Sequence, residues 1–234
     1  MDFSQTVAGP LAARFLGDLG AEVIRIESTK YWQYQTRGFG ARPSKAFLSR
    51  PTQKGGYPQG EPGERPWDRW GPFHGMHRGK LSMTVDLDQP EGRIVFLKLA
   101  SISDVIVSGN SPEMPKKLGV DYPSVITVNP RIIYVSISGF GTTGPYGGQR
   151  TLGPLIQTFM GHDLLRGYPD SDPTTVPFTT HPDPAAGVAA ALGAVLALHH
   201  RRDTGEGQHI EVAIGENFLP FLGAALMDGA LNGR

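Results

Sequence analysis

The feature that most constrains the fold of this chain is a repeated alternation of helical and β-branched segments. A helix is predicted over Pro10–Leu19, it ends at Gly20, and a β-branched strand follows over Ala21–Glu27. The clearest strand pattern of the chain is Arg131–Ser138, which lies between two further predicted helices. Strands that alternate with helices at this spacing predict an α/β fold with a doubly wound, mostly parallel sheet.

We expect this fold to be incomplete at both ends of the chain. Residues Phe3–Gly9 are predicted to form a loop, so the strand that should precede the first helix is largely missing. The last predicted helix, Glu216–Leu231, has no closing element after it. A chain of 234 residues is long enough for one substantial core or for a large part of a bigger domain.

A long irregular loop is predicted from about residue 28 to residue 79, because this segment has little periodicity and much glycine and proline. Connections of this length without regular structure are uncommon inside compact domains. Aromatic residues such as Trp67, Trp70 and Phe73 argue against plain disorder, since disordered linkers contain few of them. We expect the loop to pack over a ligand site or against a partner.

Composition argues against several classes of protein. The chain has no cysteine, which excludes disulfides, a thiol nucleophile and a thiolate metal site, and which is typical of a cytoplasmic protein. Its 22 Lys and Arg balance 22 Asp and Glu, so neither nucleic acid nor an anionic membrane is an expected partner. The apolar segment Ala185–Leu198 is shorter than the roughly 20 residues of a spanning helix, and we interpret it as a buried helix.

Two patterns that often mark ligand sites carry little weight in this chain. Gly139–Gly144 has the spacing G-x-G-x-x-G, but Pro145 follows where a dinucleotide site needs a helix. His199 and His200 belong to a basic segment of the kind that commonly ends a helix. We therefore predict no metal site, and a nicotinamide site is disfavoured.

The carboxylate with the clearest chemical potential is Asp183, which precedes Pro184 and the small-residue segment Ala185–Leu198. This is the pattern of an N-cap residue followed by proline at the first helical position. The helix dipole would then favour the ionised form of the carboxyl group. The plainest interpretation is a helix cap, and the sharper one is that the same carboxylate is a nucleophile.

Four ordered stretches of the chain carry more specific information when they are taken together. They are Ala8–Glu27, Gly79–Arg93, Asn129–Tyr146, and Asp183–Gly187 with its continuation Thr204–Gln208. In combination they resemble class III CoA-transferases, the CaiB/BaiF family that includes formyl-CoA transferase and carnitine CoA-transferase. The resemblance implies that residues 1–234 are the N-terminal part of a Rossmann-like large CoA-binding domain, and that a second, smaller domain is absent.

The resemblance also implies a reaction, because the family's nucleophile is an aspartate that matches Asp183. It would attack an acyl-CoA thioester to form an aspartyl acyl anhydride, and returning CoA would form an aspartyl-CoA thioester. A carboxylic acid acceptor would finally leave with the CoA. The implied activity is an acyl-CoA:carboxylate CoA-transferase with no permanently bound cofactor, in which CoA and acyl-CoA are substrates. A carboxylate that is ionised at pH 7 suits this role, since it needs no base.

Positions that match the family's CoA contacts lie in three places. These are the loop before the first predicted helix, the turns after the first strands, and the loop before the helix that carries Asp183. Lys117 and Arg150 are the cations expected to meet phosphate. Two positions depart from the family pattern, since Ser28 replaces a basic residue and Val7 a polar one. The full implied set is Val7, Ala8, Ser28, Val85, Asp86, Leu87, Asp88, Gly109, Asn110, Ser111, Lys117, Arg150, Thr151 and Leu152.

Two alternatives to the transferase stay open. The racemase branch of the family, α-methylacyl-CoA racemase, pairs its aspartate with a histidine in the loop that matches Thr151–Gly153. This chain has no histidine there, and His162 is the only substitute further on. The other alternative is a non-catalytic subunit of a heteromeric transferase. The resemblance implies either an interlocked homodimer or a heteromer with a related subunit.

Overall fold

The structure is a computed structural model, and it describes residues 1–28, 30–31, 37–38, 40–51, 55–177 and 179–233. Six parallel strands form one sheet in the order β3-β2-β1-β4-β5-β6. This order reverses between β1 and β4, which is the topological switch point of a doubly wound fold. The predicted fold class is therefore confirmed. The strands are β1 Asp2–Ser4, β2 Ile24–Glu27, β3 Leu81–Thr84, β4 Val105–Gly109, β5 Ile133–Ser138 and β6 Gln208–Ala213.

Strand β1 corrects the prediction of a loop over Phe3–Gly9. Asp2–Ser4 lies at the centre of the sheet and pairs with both β2 and β4. Three residues give too short a pattern to identify a strand, and Asp2 is a charged residue that central strands rarely contain. Only the pairing with strands that are distant in sequence reveals it.

The described helices mostly follow the predicted ones. The predicted helix Glu216–Leu231 is divided, because Pro220 has no N–H with which to bond the carbonyl of Glu216. Single 3₁₀ turns cover Pro58–Gly60, Pro66–Asp68, Pro173–Thr175 and Leu219–Leu222. The helices are α1 Ala8–Asp18, α2 Lys45–Leu48, α3 Gly71–His77, α4 Pro90–Ser101, α5 Glu113–Leu118, α6 Tyr122–Ile126, α7 Gly153–Phe159, α8 His162–Leu165, α9 Pro182–Thr204, α10 Ile214–Phe218 and α11 Gly223–Asn232.

Each face of the sheet has its own apolar core. Val107 of β4 points to the face that α1 and α9 cover, and its neighbour Ile106 points to the opposite face. That opposite core contains Phe96 of α4 and Val125 of α6. Helices therefore lie on both faces, as a doubly wound fold requires.

Helices α1 and α9 approach each other closely at Gly187. A Cβ atom at this position would lie 2.9 Å from the carbonyl oxygen of Ala8, so only glycine fits without a shift. Asp183 lies one helical turn before Gly187 on the same face of α9. The contact therefore brings the beginning of α9 close to the first residue of α1.

The connection between β2 and β3 is less irregular than its sequence indicates. Its described part contains α2, α3 and two of the 3₁₀ turns. Arg37 attaches it to the sheet through two hydrogen bonds to Glu27, of 2.6 and 2.8 Å. Near its end, Lys80 donates to Asp2 at 2.8 Å and to the carbonyl of Pro10 at 2.7 Å. Buried charges thus fasten this connection to β1, β2 and α1.

Helix α9 is longer than the apolar segment Ala185–Leu198 that the sequence singles out. It has 23 residues, and an 18-residue window of it has a mean hydropathy of 1.2, so by length and composition alone it could cross a membrane. In this fold 44% of that window is buried inside the protein. Ala186, Ala190 and Ala194 pack into the core with α1.

Candidate active site

Asp183 is not the N-cap of α9, and this part of the sequence interpretation is wrong. The helix begins at Pro182, and the first helical hydrogen bond runs from the N–H of Ala185 to the carbonyl of His181, which is the cap residue. Two prolines, Pro182 and Pro184, fit the first turn, because their missing N–H groups have no helical partner there. The sequence pattern alone cannot choose between these two starting points.

The carboxyl group of Asp183 is buried and isolated. Asp183 is 8% exposed, and its carboxyl group forms no hydrogen bond or ion pair with any residue that the structure describes. Burial raises the pKa of Asp183 from its ordinary 3.8 to about 6. The predicted direction is therefore wrong, because desolvation outweighs any effect of the helix dipole. A pKa of about 6 still leaves the group roughly nine-tenths ionised at pH 7.

The predicted CoA contacts lie along one edge of the sheet. All except Lys117 lie at or after the carboxyl end of a strand, where ligands bind in open α/β sheets. Val7 is the residue before α1, and Ala8 begins that helix. Gly109 ends β4, and Asn110 beside it donates to the carbonyl of Phe3 at 2.6 Å. The ends of β1 and β4 are thereby held together at the switch point.

Lys117 joins the same edge from helix α5. Together with Leu87, Asp88 and Arg93 it lines an open groove of about 570 Å³. Arg93 is a second cation of this groove that sequence reasoning missed, and its guanidinium lies against Gly119, where a Cβ would be 2.5 Å from Cζ. Lys117 and Arg93 give the groove positive charge suitable for phosphate.

Asp86 and Asp88, two of the predicted CoA contacts, are engaged by residues after β2. Lys30 places its Nζ 3.3 Å from Oδ2 of Asp86 and 3.5 Å from Oδ2 of Asp88. Tyr31 donates to Asp88 at 2.9 Å. Ser28 lacks the family's basic side chain, and Lys30 brings a positive charge to this edge two residues later. Sequence reasoning did not single out Lys30, because this residue stands outside the matched motif.

The loop before α7 brings the remaining predicted contacts towards β5. Thr151 lies against Gly139, and a Cβ at Gly139 would overlap its methyl group. Leu152 is the extended residue before α7, and Arg150 is exposed. Gly153, the first residue of α7, lies directly against the Asp183 carboxyl group. This loop therefore reaches both the end of β5 and the candidate nucleophile.

A polar cluster holds the segment that leads into α9. Gln157, which is buried, donates to Asp163 at 2.5 Å and to Thr179 at 2.8 Å. Arg166 donates to Thr179 at 2.8 Å and to the carbonyl of Pro177 at 2.9 Å. The segment before Asp183 is thus fixed to α7 and α8, although nothing in the spacing of these residues indicates it.

The loop between β1 and α1 contains a strained residue. Thr6 adopts φ 62°, in the left-handed region that favours glycine. Such residues cost of order 1–3 kcal/mol and cluster at functional sites. Thr6 immediately precedes Val7, in the loop after β1 at the switch point.

Within the described ranges, no three His, Asp or Glu side chains are grouped as metal ligands. His162 and His181 form a pair, with ring centroids 5.6 Å apart, near the start of α9. Burial lowers the pKa of His162, and its Nδ1 has no partner among the described atoms. The imidazole is thus neutral at pH 7 and able to accept a proton.

Comparisons with known proteins give a consistent result. The family model described as CoA-transferase family III matches residues 1–234. The chain is 31% identical over 234 residues to acetyl-CoA:oxalate CoA-transferase of Acetobacter aceti, covering all of this chain and 54% of that protein. It is 31% identical over 216 residues to the alpha subunit of succinyl-CoA–L-malate CoA-transferase of Chloroflexus aurantiacus, covering 92% of this chain and 45% of that one.

Solved structures show the same similarity. The crystal structure of a CAIB/BAIF family protein from Brucella suis matches with a TM-score of 0.82 and 32% identity, over 99% of this chain and 56% of that one. The chain spans about half the length of the curated relatives it matches.

Proposed function

The chain belongs to CoA-transferase family III, as its motifs predict, and from this premise we propose that it transfers CoA from an acyl-CoA to a carboxylic acid. Asp183 is the proposed nucleophile. The protein that carries this chain uses CoA thioesters and free acids as substrates and holds no cofactor permanently. Relatives that share about 31% identity are named for different acids, so the acyl group and the acceptor stay open.

The observation that carries the proposal is the state of the Asp183 carboxyl group. Buried carboxylates are normally paired or hydrogen-bonded, because burying a charge alone is costly. Asp183 has no partner among the described residues, and it lies against Gly153, the first residue of α7. A carboxylate that is buried, unpaired and perturbed in its pKa has the properties of a reactive group.

The proposed reaction begins when an Asp183 oxygen attacks the thioester carbonyl carbon. The C–S bond breaks, CoA leaves as the thiolate, and an aspartyl acyl anhydride remains on the enzyme. The thiolate then attacks the aspartyl carbonyl carbon, which releases the first acid and forms an aspartyl-CoA thioester. An acceptor carboxylate repeats the two steps in reverse, so that the new acyl-CoA leaves and the Asp183 carboxylate is restored.

The groove beside α5 is the proposed seat of the phosphate-bearing end of CoA. Lys117 and Arg93 provide two positive charges there, and Leu87 provides an apolar wall. Ala8 contacts α9 at Gly187, one helical turn after Asp183, so we place the thiol end of CoA past the end of β1. In this proposal CoA lies along the sheet edge with its reactive end at the nucleophile.

Racemisation of an acyl-CoA is the second candidate, because the His162–His181 pair lies near the start of α9. A neutral imidazole could remove the proton next to the thioester carbonyl, and a protonated Asp183 could return one to the opposite face. Against it stands the loop Thr151–Gly153, which has no histidine although the matching loop of the racemase branch contains one.

The proposed functional unit contains a second polypeptide, either another copy or a related subunit, since a relative is itself named an alpha subunit. Neither arrangement has specific support in the described residues. Native mass spectrometry of the protein that carries this chain would distinguish the two, because it gives the mass of each subunit in the assembly.

Intact mass measurement after incubation with acetyl-CoA, succinyl-CoA and longer acyl-CoAs tests the proposed function. We expect an adduct of acyl or CoA mass on the wild type that hydroxylamine removes, and none on Asp183→Asn. Deuterium uptake next to the carbonyl in D₂O, without an adduct, would replace the transferase by the racemase. Saturable CoA binding with neither signal would indicate a non-catalytic subunit.

A further inference from the structure

We propose that Gly153 is a positioning residue for Asp183, and that its missing side chain forms the seat in which the carboxyl group rests. The chemical role of this seat rests on the proposed function, whereas its geometry does not. Gly153 begins α7, and Asp183 lies in the first turn of α9. The two residues are 30 positions apart in the sequence, so only the tertiary fold brings them together.

The close approach of the two residues is the first argument. A Cβ atom on Gly153 would overlap Oδ2 of Asp183 and would lie 2.6 Å from its Cγ and 3.1 Å from its Oδ1. These three atoms are the nearest neighbours of that position, and all belong to one carboxyl group. Any other residue at 153 would therefore displace the carboxyl group from its present place.

The backbone conformation is the second argument. Glycine is often required because φ is positive, as at Gly141 with φ 81° and Gly161 with φ 79°. Gly153 is not among the residues of positive φ, so its backbone would accept an L side chain. The space occupied by Asp183 is then the reason that position 153 must be glycine.

The seat explains the burial of the carboxyl group without a charged partner. Helix α7 has no titratable residue, and α1 contributes only Arg14 and Asp18, which lie 3.5 Å from each other near its far end. On the segment before α9, Arg166 is engaged by Asp163 and Thr179, and His181 is exposed. Glu216 of α10 is exposed as well. Exclusion of water by Gly153 and its neighbours therefore dominates the properties of Asp183.

A methyl group at 153 would turn the carboxyl group out of the seat and towards water. A hydrated carboxylate is less basic than a buried one and hence a weaker nucleophile. It would also be displaced from the position in which it meets the thioester, and a displacement of about 1 Å can cost a factor of about 100 in rate. CoA contacts on the other loops would be unaffected.

Stability measurements on a double-mutant cycle test the seat without any substrate. We expect Gly153→Ala to lower the melting temperature of the wild type clearly, and to have little effect in an Asp183→Ala background, where the overlapping group is gone. Gly223→Ala is the matched control, because nothing lies within 4 Å of an added Cβ and its φ is not positive. Equal effects of Gly153→Ala in both backgrounds would overturn the proposal.

A chemical titration gives a second readout. Labelling of protonated carboxyl groups by a water-soluble carbodiimide, followed by peptide mass measurement, reports the pKa of Asp183. We expect the midpoint near 6 in the wild type and in Gly223→Ala, and a shift of at least about one pH unit downwards in Gly153→Ala. An unchanged midpoint would overturn the proposal. A seat confirmed by both readouts, with no acyl adduct in the wild type, would instead refute the proposed function.

Discussion

Arg37 and Glu27 form a two-pronged ion pair, in which Nε lies 2.8 Å from Oε1 and Nη2 lies 2.6 Å from Oε2. Both side chains are largely buried, at 16% and 10% exposure. Glu27 ends β2 and also accepts from Ser82 of β3 at 2.6 Å. One carboxylate thus joins two strands to the connection between them, at the edge of the sheet that carries the proposed CoA contacts.

Removing the Arg37 side chain is expected to destabilise the protein. Arg37→Ala leaves a buried carboxylate with fewer partners, and breaking a buried pair typically costs about 3–5 kcal/mol, of which Arg25 and Ser82 should recover part. We therefore expect a loss of about 2 kcal/mol in urea unfolding, with faster proteolysis between residues 38 and 80.

Arg65→Ala is the matched control for this prediction. Arg65 is 70% exposed and also pairs with an acid of the same connection, Asp68. Exposed pairs contribute about 0–1 kcal/mol, so little change is expected. If Arg65→Ala and Arg37→Ala cost the same, the connection is not fastened by its buried pair.

The burial of Asp183 predicts a pH-dependent stability difference between the wild type and Asp183→Asn. The folded-state pKa is raised from 3.8 to about 6, so the folded protein binds this proton more tightly than the unfolded chain. The stabilisation by this proton is complete below pH 3.8 and is lost as the pH rises through about 6. Between these limits the wild type should lose about 3 kcal/mol relative to the variant.

Urea unfolding of both proteins from pH 4 to pH 8 measures this difference. The shared titrations of all other groups cancel in the comparison, since only one carboxyl group differs between the proteins. A difference that is constant with pH would show that the Asp183 carboxyl group is hydrated in solution, contrary to the buried position observed here.

The groove beside α5 predicts a charge-specific effect on CoA binding. Lys117→Ala should weaken CoA binding about five- to tenfold, because it removes a cation from the proposed phosphate seat. Lys116→Ala removes the same charge from the same helix, but Lys116 does not line the groove. Titration of CoA by calorimetry should find that the second variant binds almost as the wild type does. Equal effects would indicate general attraction and not a seat in the groove.

Most of the fold could be predicted from the sequence because its signals are local. Strands such as Ile133–Ser138 are rich in β-branched and aromatic residues, and Gly119 ends α5 with φ 65°, as the glycine there indicates. Asp183 and the loops at the strand ends could be located because they belong to matched motifs. Strand β1 could not, since three residues with a charged Asp2 resemble a strand only once β2 and β4 lie on either side.

The properties of the site depend on contacts that no local pattern contains. The sequence predicted an Asp183 that caps a helix and is favoured in its ionised form by the dipole. The burial of that carboxyl group depends instead on how distant segments pack, as where α7 approaches α9 at Gly153 and α1 approaches it at Gly187. Likewise, no sequence motif marks Lys30, Arg93 or Thr6 as a functional residue. The contacts of the first two and the backbone conformation of the third become apparent only in the fold.

The sequence by itself determined the alternation of strands and helices, the family, and the position of the aspartate that we propose as the nucleophile. These properties are carried by residue types and spacings within short stretches of chain. Only the tertiary structure decided that this aspartate is buried, unpaired and seated against Gly153, and that buried ion pairs fasten the connection between β2 and β3. Burial and pairing depend on which distant segments exclude water from a group, and that is decided when the segments pack.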